Sequence, residues 1–248
     1  FAAGYSATDR TVCVVGFQSG NRDLIGNYTA NTAPEATTPA FSPASPKTND
    51  ILDASSTLTD ADGDTVRGTF VWKVQTGDDT CEVRTFTSAF AATGSVHTDS
   101  LNLGTAHTAT SCTGTAPFPS TINPSKGDTI HVFVTPSDGT ANGTTKTNSV
   151  LVANSAPTAT VSLNDSSPKT NDTLTATATK SDADGDVVSL TFVWKVNGTT
   201  KQTTTTSSSL TDTFDLSQAG NGSKGDTIEV FVTPNDGTTN GATASATA

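Results

Sequence analysis

Methionine is absent from this sequence and glutamate nearly so, at 3 residues against 21 aspartates. With leucine also scarce, the residues that best sustain a helix are missing. Lysine and arginine together number 13 against 24 acidic residues, for a net charge of −11. That balance excludes a nucleic-acid surface, because phosphates are met by cations that displace counterions. It also argues against anionic membrane surfaces, and no stretch is apolar for long enough to span a bilayer. The 3 histidines, His97, His107 and His131, are isolated from one another. No C-x2-C pair is present to hold zinc, and serine and aspartate are too common for a Ser-His-Asp pattern to mean anything without geometry. No catalytic residue is assigned, and the chain is not read as an enzyme. It opens on Phe1 with no initiator methionine and no basic-then-apolar leader, which reads as a processed or excised segment.

What the chain has in abundance is threonine, 51 of 248 residues. The branched Cβ of threonine fits a pleated strand, while aspartate and glycine supply turns. The composition is all-β. The chain also repeats itself. "SPKTND" begins at Ser45 and Ser167, and "FVWKV" at Phe70 and Phe192, each pair 122 residues apart. "SKGDTIHVFVTPSDGTANG" from Ser125 matches "SKGDTIEVFVTPNDGTTNG" from Ser223 at an offset of 98, so the first copy carries 24 extra residues between its Trp72 strand and Ser125. His131 aligns with Glu229, so that position is interchangeable.

In the second copy Leu174, Ala176 and Ala178 alternate along one expected strand. Phe192, Trp194 and Val196 do so along another, and Ile228, Val230 and Val232 along a third. Short strands joined by "SDG" and "NDG" turns predict an immunoglobulin-like sandwich of about 100 residues per copy. The expected organisation is an all-β chain: a strand-like arm at 1–30, a sandwich with its insertion at 31–153, and a second sandwich at 154–248.

"NSAP" (Asn154 to Pro157), "DADGD", "FVWKVNG" and "SLTDTFDLSQAGNGSKGDTIEVFVTPNDG" carry a resemblance to the Ig-like, cadherin-like repeats strung in tandem on prokaryotic surface proteins. The resemblance covers about residues 31–248 and is stronger in the second copy. It implies a spacer, an adhesin or a filament part in an extracellular setting, and does not imply an enzyme.

The two "DADGD" loops place hard carboxylate oxygens at alternate positions: Asp60, Asp62 and Asp64, then Asp182, Asp184 and Asp186. In a sandwich each loop shares one end with Asp138 or Asp236 and with the entering "NTAP" or "NSAP". Two readings stand: a Ca2+ site built from 6–8 oxygens, which would pin the junction as it does in cadherins, or a solvated turn whose aspartates bond the local backbone. No cofactor is required on either.

Cys81 and Cys112 both fall in the extra region of the first copy, and a disulfide between them would staple it. Cys13 has no evident partner. Sequons at Asn27, Asn142, Asn164, Asn171, Asn197 and Asn221 are candidate N-glycosylation sites. Val71, Phe133, Val193 and Phe231 alternate with core positions, giving either an apolar partner strip or a surface covered by neighbours.

The ends differ. Residues 1–30 match neither copy, yet hold the apolar run "RTVCVVGF" from Arg10 to Phe17, while the strand Val150-Leu151-Val152 has at most Ala248 as its counterpart in the second copy. Thr11, Val12, Cys13, Val14, Val15 and Phe17 are therefore the candidate subunit contact, donated as a strand to a neighbouring copy. The expected partners are copies of the chain in a head-to-tail filament, or neighbouring surface proteins. The alternative is a carbohydrate-binding or spacer module of a larger secreted protein.

Overall fold

The computed structural model describes residues 30–248, together with the backbone of two short antiparallel strands, β1 (Gly4–Tyr5) and β2 (Val12–Cys13). Among the described residues every regular element is a strand, and none is a helix long and apolar enough to cross a membrane.

The first repeat runs through β3 (Glu35–Ala36), β4 (Ala40–Ser42), β5 (Ile51–Thr59), β6 (Arg67–Thr76), β7 (Asp79–Thr87) and β8 (Val96–Asn102). It continues through β9 (His107–Thr108), β10 (Ser111–Thr113), β11 (Thr121–Ile122), β12 (Thr129–Ser137) and β13 (Lys146–Leu151). One sheet is ordered β10-β7-β6-β12-β13; in the other, β5 pairs with β8 on one side and with β3 and β4 on the other.

The second repeat runs through β14 (Thr158–Leu163), β15 (Thr173–Ser181), β16 (Ser189–Val196) and β17 (Thr199–Thr206). It ends with β18 (Thr211–Asp215), β19 (Ile228–Asn235) and β20 (Ala244–Thr247). Its sheets are β14-β15-β18 and β17-β16-β19-β20.

Strand alternation makes the cores. Successive side chains of a strand point to opposite faces, so Phe70, Trp72 and Val74 of β6 meet Ile130, Val132 and Val134 of β12, all fully buried. Leu52, Ala54 and Leu58 of β5 close that core from the other sheet. Phe192 and Trp194, with Val230, Val232, Leu174 and Phe214, build a separate second core. Each such large side chain contributes roughly 1.5–3 kcal/mol on burial. The chain is a tandem of immunoglobulin-like β-sandwiches.

Both tryptophans cross between sheets to a carboxylate. Trp72 Nε1 donates to Asp99 Oδ2 at 2.8 Å, and Trp194 Nε1 to Asp212 Oδ2 at 2.8 Å. A donor on the neighbouring strand joins each pair. Arg84 meets Asp99 through Nε at 2.9 Å and Nη2 at 2.6 Å, while Gln202 meets Asp212 at 3.0 Å.

These pairs divide the 24-residue excess of the first repeat. The offset between equivalent residues falls from 122 at Trp72/Trp194 to 118 at Arg84/Gln202, 113 at Asp99/Asp212 and 98 at Ile130/Ile228. The first step lengthens the β6–β7 hairpin by the pairs Gln75–Thr80 and Thr76–Asp79. The second lengthens the loop into β8. The third and largest holds β9, β10 and β11. Cys81 therefore lies on a strand common to both repeats, opposite Val74, whereas Cys112 lies in added chain.

Gly143 and Gly241 are required by a close approach. A Cβ on either would overlap the carbonyl oxygen of Pro34 or Pro157, where the first residues of each sandwich pass the turn before its last strand. Backbone cannot yield as a flexible side chain can. Gly143→Ala and Gly241→Ala are expected each to destabilise their own sandwich by about 1–3 kcal/mol, the usual penalty of overpacking. Urea melts read separately from Trp72 and Trp194 check this, and an unchanged midpoint for either would refute it.

Candidate functional site

The acidic corners are built alike. Asp60 Oδ1 accepts the N–H groups of Asp62 and Asp64 at 2.8 and 3.2 Å; Asp182 Oδ1 accepts those of Asp184 and Asp186 at the same distances. Gly63 and Gly185 turn the two loops with φ of 84° and 78°, a region that favours glycine.

The chain entering each sandwich is tied to its corner. Thr32 N–H donates to Asp62 Oδ2 at 2.5 Å, and Ser155 N–H to Asp184 Oδ2 at 2.6 Å. The Asn31 side-chain amide donates to Asp138 Oδ2, and that of Asn154 to Asp236 Oδ2, both at 2.8 Å. Asp138 Oδ1 also accepts from Thr140 and Ala141 N–H, as Asp236 Oδ1 does from Thr238 and Thr239. These donors hold both carboxyls below the ordinary carboxylate value. The Ala141 N–H is the largest cause at Asp138, and the Asn154 amide at Asp236.

Two groups of three carboxylates gather their oxygens within 4.8 Å: Asp60, Asp62 and Asp64, and Asp182, Asp186 and Asp236. Asp138 stands outside the first group and Asp184 outside the second. Asp138 is engaged by Asn31 and its own turn, and Asp184 by Ser155. Three buried oxygens at these corners have no hydrogen-bond partner: Asp60 Oδ2, Asp182 Oδ2 and Asn154 Oδ1. An all-oxygen set with unpartnered buried acceptors fits a hard cation such as Ca2+.

At the second corner a cation from the first sandwich is already present. Lys126 Nζ lies 2.7 Å from Asp186 Oδ2. That bond is the main cause raising the lysine pKa, with the fields of Asp184 and Asp236 adding to it.

At the opposite end of the first sandwich the chain past β13 continues extended, and Val152 is 1% exposed within the core. Val152 N–H donates to Asp128 O at 2.9 Å, Gly127 N–H to Val152 O at 3.0 Å, and Ala153 N–H to Pro46 O at 2.7 Å. In the second, Ala248 pairs with Ile228 as Val150 pairs with Ile130. Beside Ala248 lies a groove of about 480 Å³, lined by Pro168, Leu216, Gly225, Asp226 and Ile228 among others. These five are the repeat equivalents of Pro46, Leu103, Gly127, Asp128 and Ile130. By repeat offset the positions of Val152 and Ala153 fall after Ala248, beside this groove.

Cys81 and Cys112 form a disulfide between paired residues of β7 and β10. Of the sequon asparagines, Asn142, Asn164, Asn171 and Asn197 are exposed. Asn197 donates its amide to Asp226, and half-buried Asn221 donates its own to Asp215 O. Asn27 lies outside the described residues. So do Thr11, Val14, Val15 and Phe17; of Val12 and Cys13 only the backbone pairing is described.

The outward strip is half-buried, and each of its rings carries a lysine: Lys73 Nζ sits 5.3 Å from the Phe133 ring centroid and Lys195 Nζ 4.6 Å from that of Phe231. The histidines lie on separate strands. His97 bonds Ser88, His107 the Asn102 carbonyl, and His131 Gln75. Desolvation pushes the His97 pKa below its ordinary value.

No family model and no curated protein matches the chain. Among solved structures it is similar to a two-domain fibronectin type-III segment of chicken tenascin, at 14% identity over 86% of this chain and 98% of that one, with a TM-score of 0.39. It is also similar to the FN1–FN3 domains of chicken CNTN1, at 10% identity over 87% of this chain and 65% of that one, TM-score 0.31. A third likeness is to fibronectin(III)-like modules of CbhA from Clostridium thermocellum, at 16% identity over 85% of this chain and 92% of that one, TM-score 0.27. At these values the likeness carries nothing about function, and the fold rests on the chain's own sheets and cores.

Proposed function

We propose that this chain is a structural component of an extracellular surface fibre or adhesin, joined head to tail to copies of itself. In this reading residues 1–30 of one copy, with the apolar run Thr11–Phe17, add as a strand to the second sandwich of the next. The observation that carries it is the tandem itself: two sandwiches of one pattern, each tied to the chain that enters it through an aspartate of its acidic corner.

Strand addition supplies affinity through backbone hydrogen bonds and specificity through alternate side chains. Donor and acceptor surfaces differ, so the contact generates an open fibre rather than a closed dimer. The Cys81–Cys112 disulfide fits an oxidising, extracellular address. Ca2+ at the corners belongs to the same proposal, held by Asp60, Asp62 and Asp64 and by Asp182, Asp186, Asp236 and Asn154. There it would tie each entering chain to its sandwich. Trp72 and Trp194 are fully buried, so neither can stack on a sugar.

Negative-stain imaging of the unreduced chain tests the proposal. Regular fibres with an axial repeat of one two-sandwich unit are expected, dissociating in denaturant to monomers that regrow on dilution. Deleting residues 1–30 is expected to abolish regrowth while both tryptophan cores still fold. Isolated two-lobed rods from the intact chain would overturn the fibre and leave a spacer.

A further inference from the structure

The two acidic corners share one sequence and differ in what reaches them. Lys126 is presented to the second by a turn whose backbone is tied on three sides. Asp128 Oδ2 accepts the Ser125 N–H at 2.9 Å, Thr48 Oγ1 the Lys126 N–H at 3.0 Å, and the Val152 carbonyl the Gly127 N–H at 3.0 Å. Asp128 and Thr48 are both buried. From that fixed base the ammonium reaches Asp186 Oδ2 at 2.7 Å. The linker that meets the turn at Val152 meets the same corner at Asn154 and Ser155. Turn, linker and corner thus close a ring across the junction, with Lys126 as its ionic link.

Among the described residues no lysine or arginine pairs with Asp60, Asp62 or Asp64 at the first corner. There Asp60 is 8% exposed, with its Oδ2 buried and unpartnered. At the second corner the group of Asp182, Asp186 and Asp236 already shares one positive charge. The ammonium does not satisfy the whole set, because Asp182 Oδ2 and Asn154 Oδ1 stay buried without a partner.

Resting on the Ca2+ reading of the corners above, we propose that Lys126 is a tethered competitor for the metal at the second corner. The first corner fills first, since Ca2+ affinity follows the charge of the ligand set. The second fills only as Asp186 exchanges the ammonium for the ion, and an exposed ion pair is weak enough to exchange. Metal at that corner and the lysine brace across the junction therefore exclude each other. By linkage, whatever the lysine costs the metal, the metal costs the brace. At the first corner the ion ties the entering chain to its sandwich; at the second it also releases the neighbouring sandwich.

Calorimetric titration of the full chain with Ca2+ tests this one corner at a time. Asp60→Asn and Asp182→Asn each keep the Oδ1 acceptor of their loop and lose the charge, leaving the other corner intact; circular dichroism checks that both fold. In the Asp60→Asn chain, Lys126→Met is expected to tighten Ca2+ binding about two- to fivefold, the range of an exposed ion pair. Lys126→Arg is expected to leave it near its starting value. In the Asp182→Asn chain, Lys126→Met is expected to change nothing. Equal affinity of the Asp60→Asn chain with lysine and with methionine, or no binding with either, would overturn the competition while binding by the Asp182→Asn chain left the first Ca2+ corner standing. Failure of both the unaltered chain and Lys126→Met to bind Ca2+ would overturn the competition and the Ca2+ reading together.

Discussion

Replacing Asp99 by alanine is expected to remove about 2–4 kcal/mol from the first sandwich, between the cost of orphaning a neutral buried donor and that of breaking a buried ion pair. The Asp99 side chain is 5% exposed and receives three bonds, from Trp72 Nε1, Arg84 Nε and Arg84 Nη2. It stands on β8 and its donors on β6 and β7, so it clamps one sheet to the other through the middle of the core. Alanine leaves an indole N–H with no partner in a fully buried ring. The guanidinium escapes part of its penalty, because the Arg84 side chain is 39% exposed and can turn toward water.

The second sandwich is the internal control. Asp212 receives Trp194 Nε1 and the neutral Gln202 amide, so Asp212→Ala is expected to cost less, about 1–3 kcal/mol. Asp99→Asn, which keeps an acceptor but not the charge, is expected to fall between wild type and Asp99→Ala. Urea unfolding of single-tryptophan backgrounds, Trp72→Phe and Trp194→Phe, assigns each transition to its sandwich. Equal losses for the two alanine variants would show that the arginine adds nothing.

Much of this was legible in the sequence, and the limit is physical. Phe70, Trp72 and Val74 announce their strand because alternation in a sheet is an alternation in the chain. The repeat offsets gave the size of the insertion. Its division could not be read, because a hairpin lengthened by two pairs leaves no mark until the pairing register is known. Asp99 and Asp212 escaped notice for the same reason: they are equivalent only at an offset of 113, which neither quoted repeat shares.

The acidic loops were visible as loops, but the convergence of their oxygens was not. Asp184 and Asp138 have the composition of ligands and are bound instead to the entering chain. The strip at Phe133 and Phe231 was legible as outward-facing. Over each ring stands a lysine from β6 or β16, and no periodicity encodes that.

Removing the disulfide with Cys81→Ala and Cys112→Ala is expected to cost the first sandwich about 3–4 kcal/mol, from the chain entropy returned to an unfolded loop of this length. The two cysteines are 31 residues apart and directly paired across β7 and β10. Cys81 is fully buried against the core, whereas Cys112 belongs to the added segment, whose own anchor is little more than Ile122. Without the bond, β10 is an edge strand of three residues, and ordering it costs about 1–2 kcal/mol per residue of backbone entropy. The loss is therefore expected to appear in two places. Backbone amides of Ser111 to Thr113 lose hydrogen-exchange protection, and the urea midpoint read from Trp72 falls. The midpoint read from Trp194 stays fixed, because the second sandwich contains no cysteine. A Trp72 midpoint unmoved by the double substitution would mean that the added segment is held by its contacts alone. The bond would then serve the exposed edge of the sheet, where an unpaired β7 would otherwise offer itself to another chain.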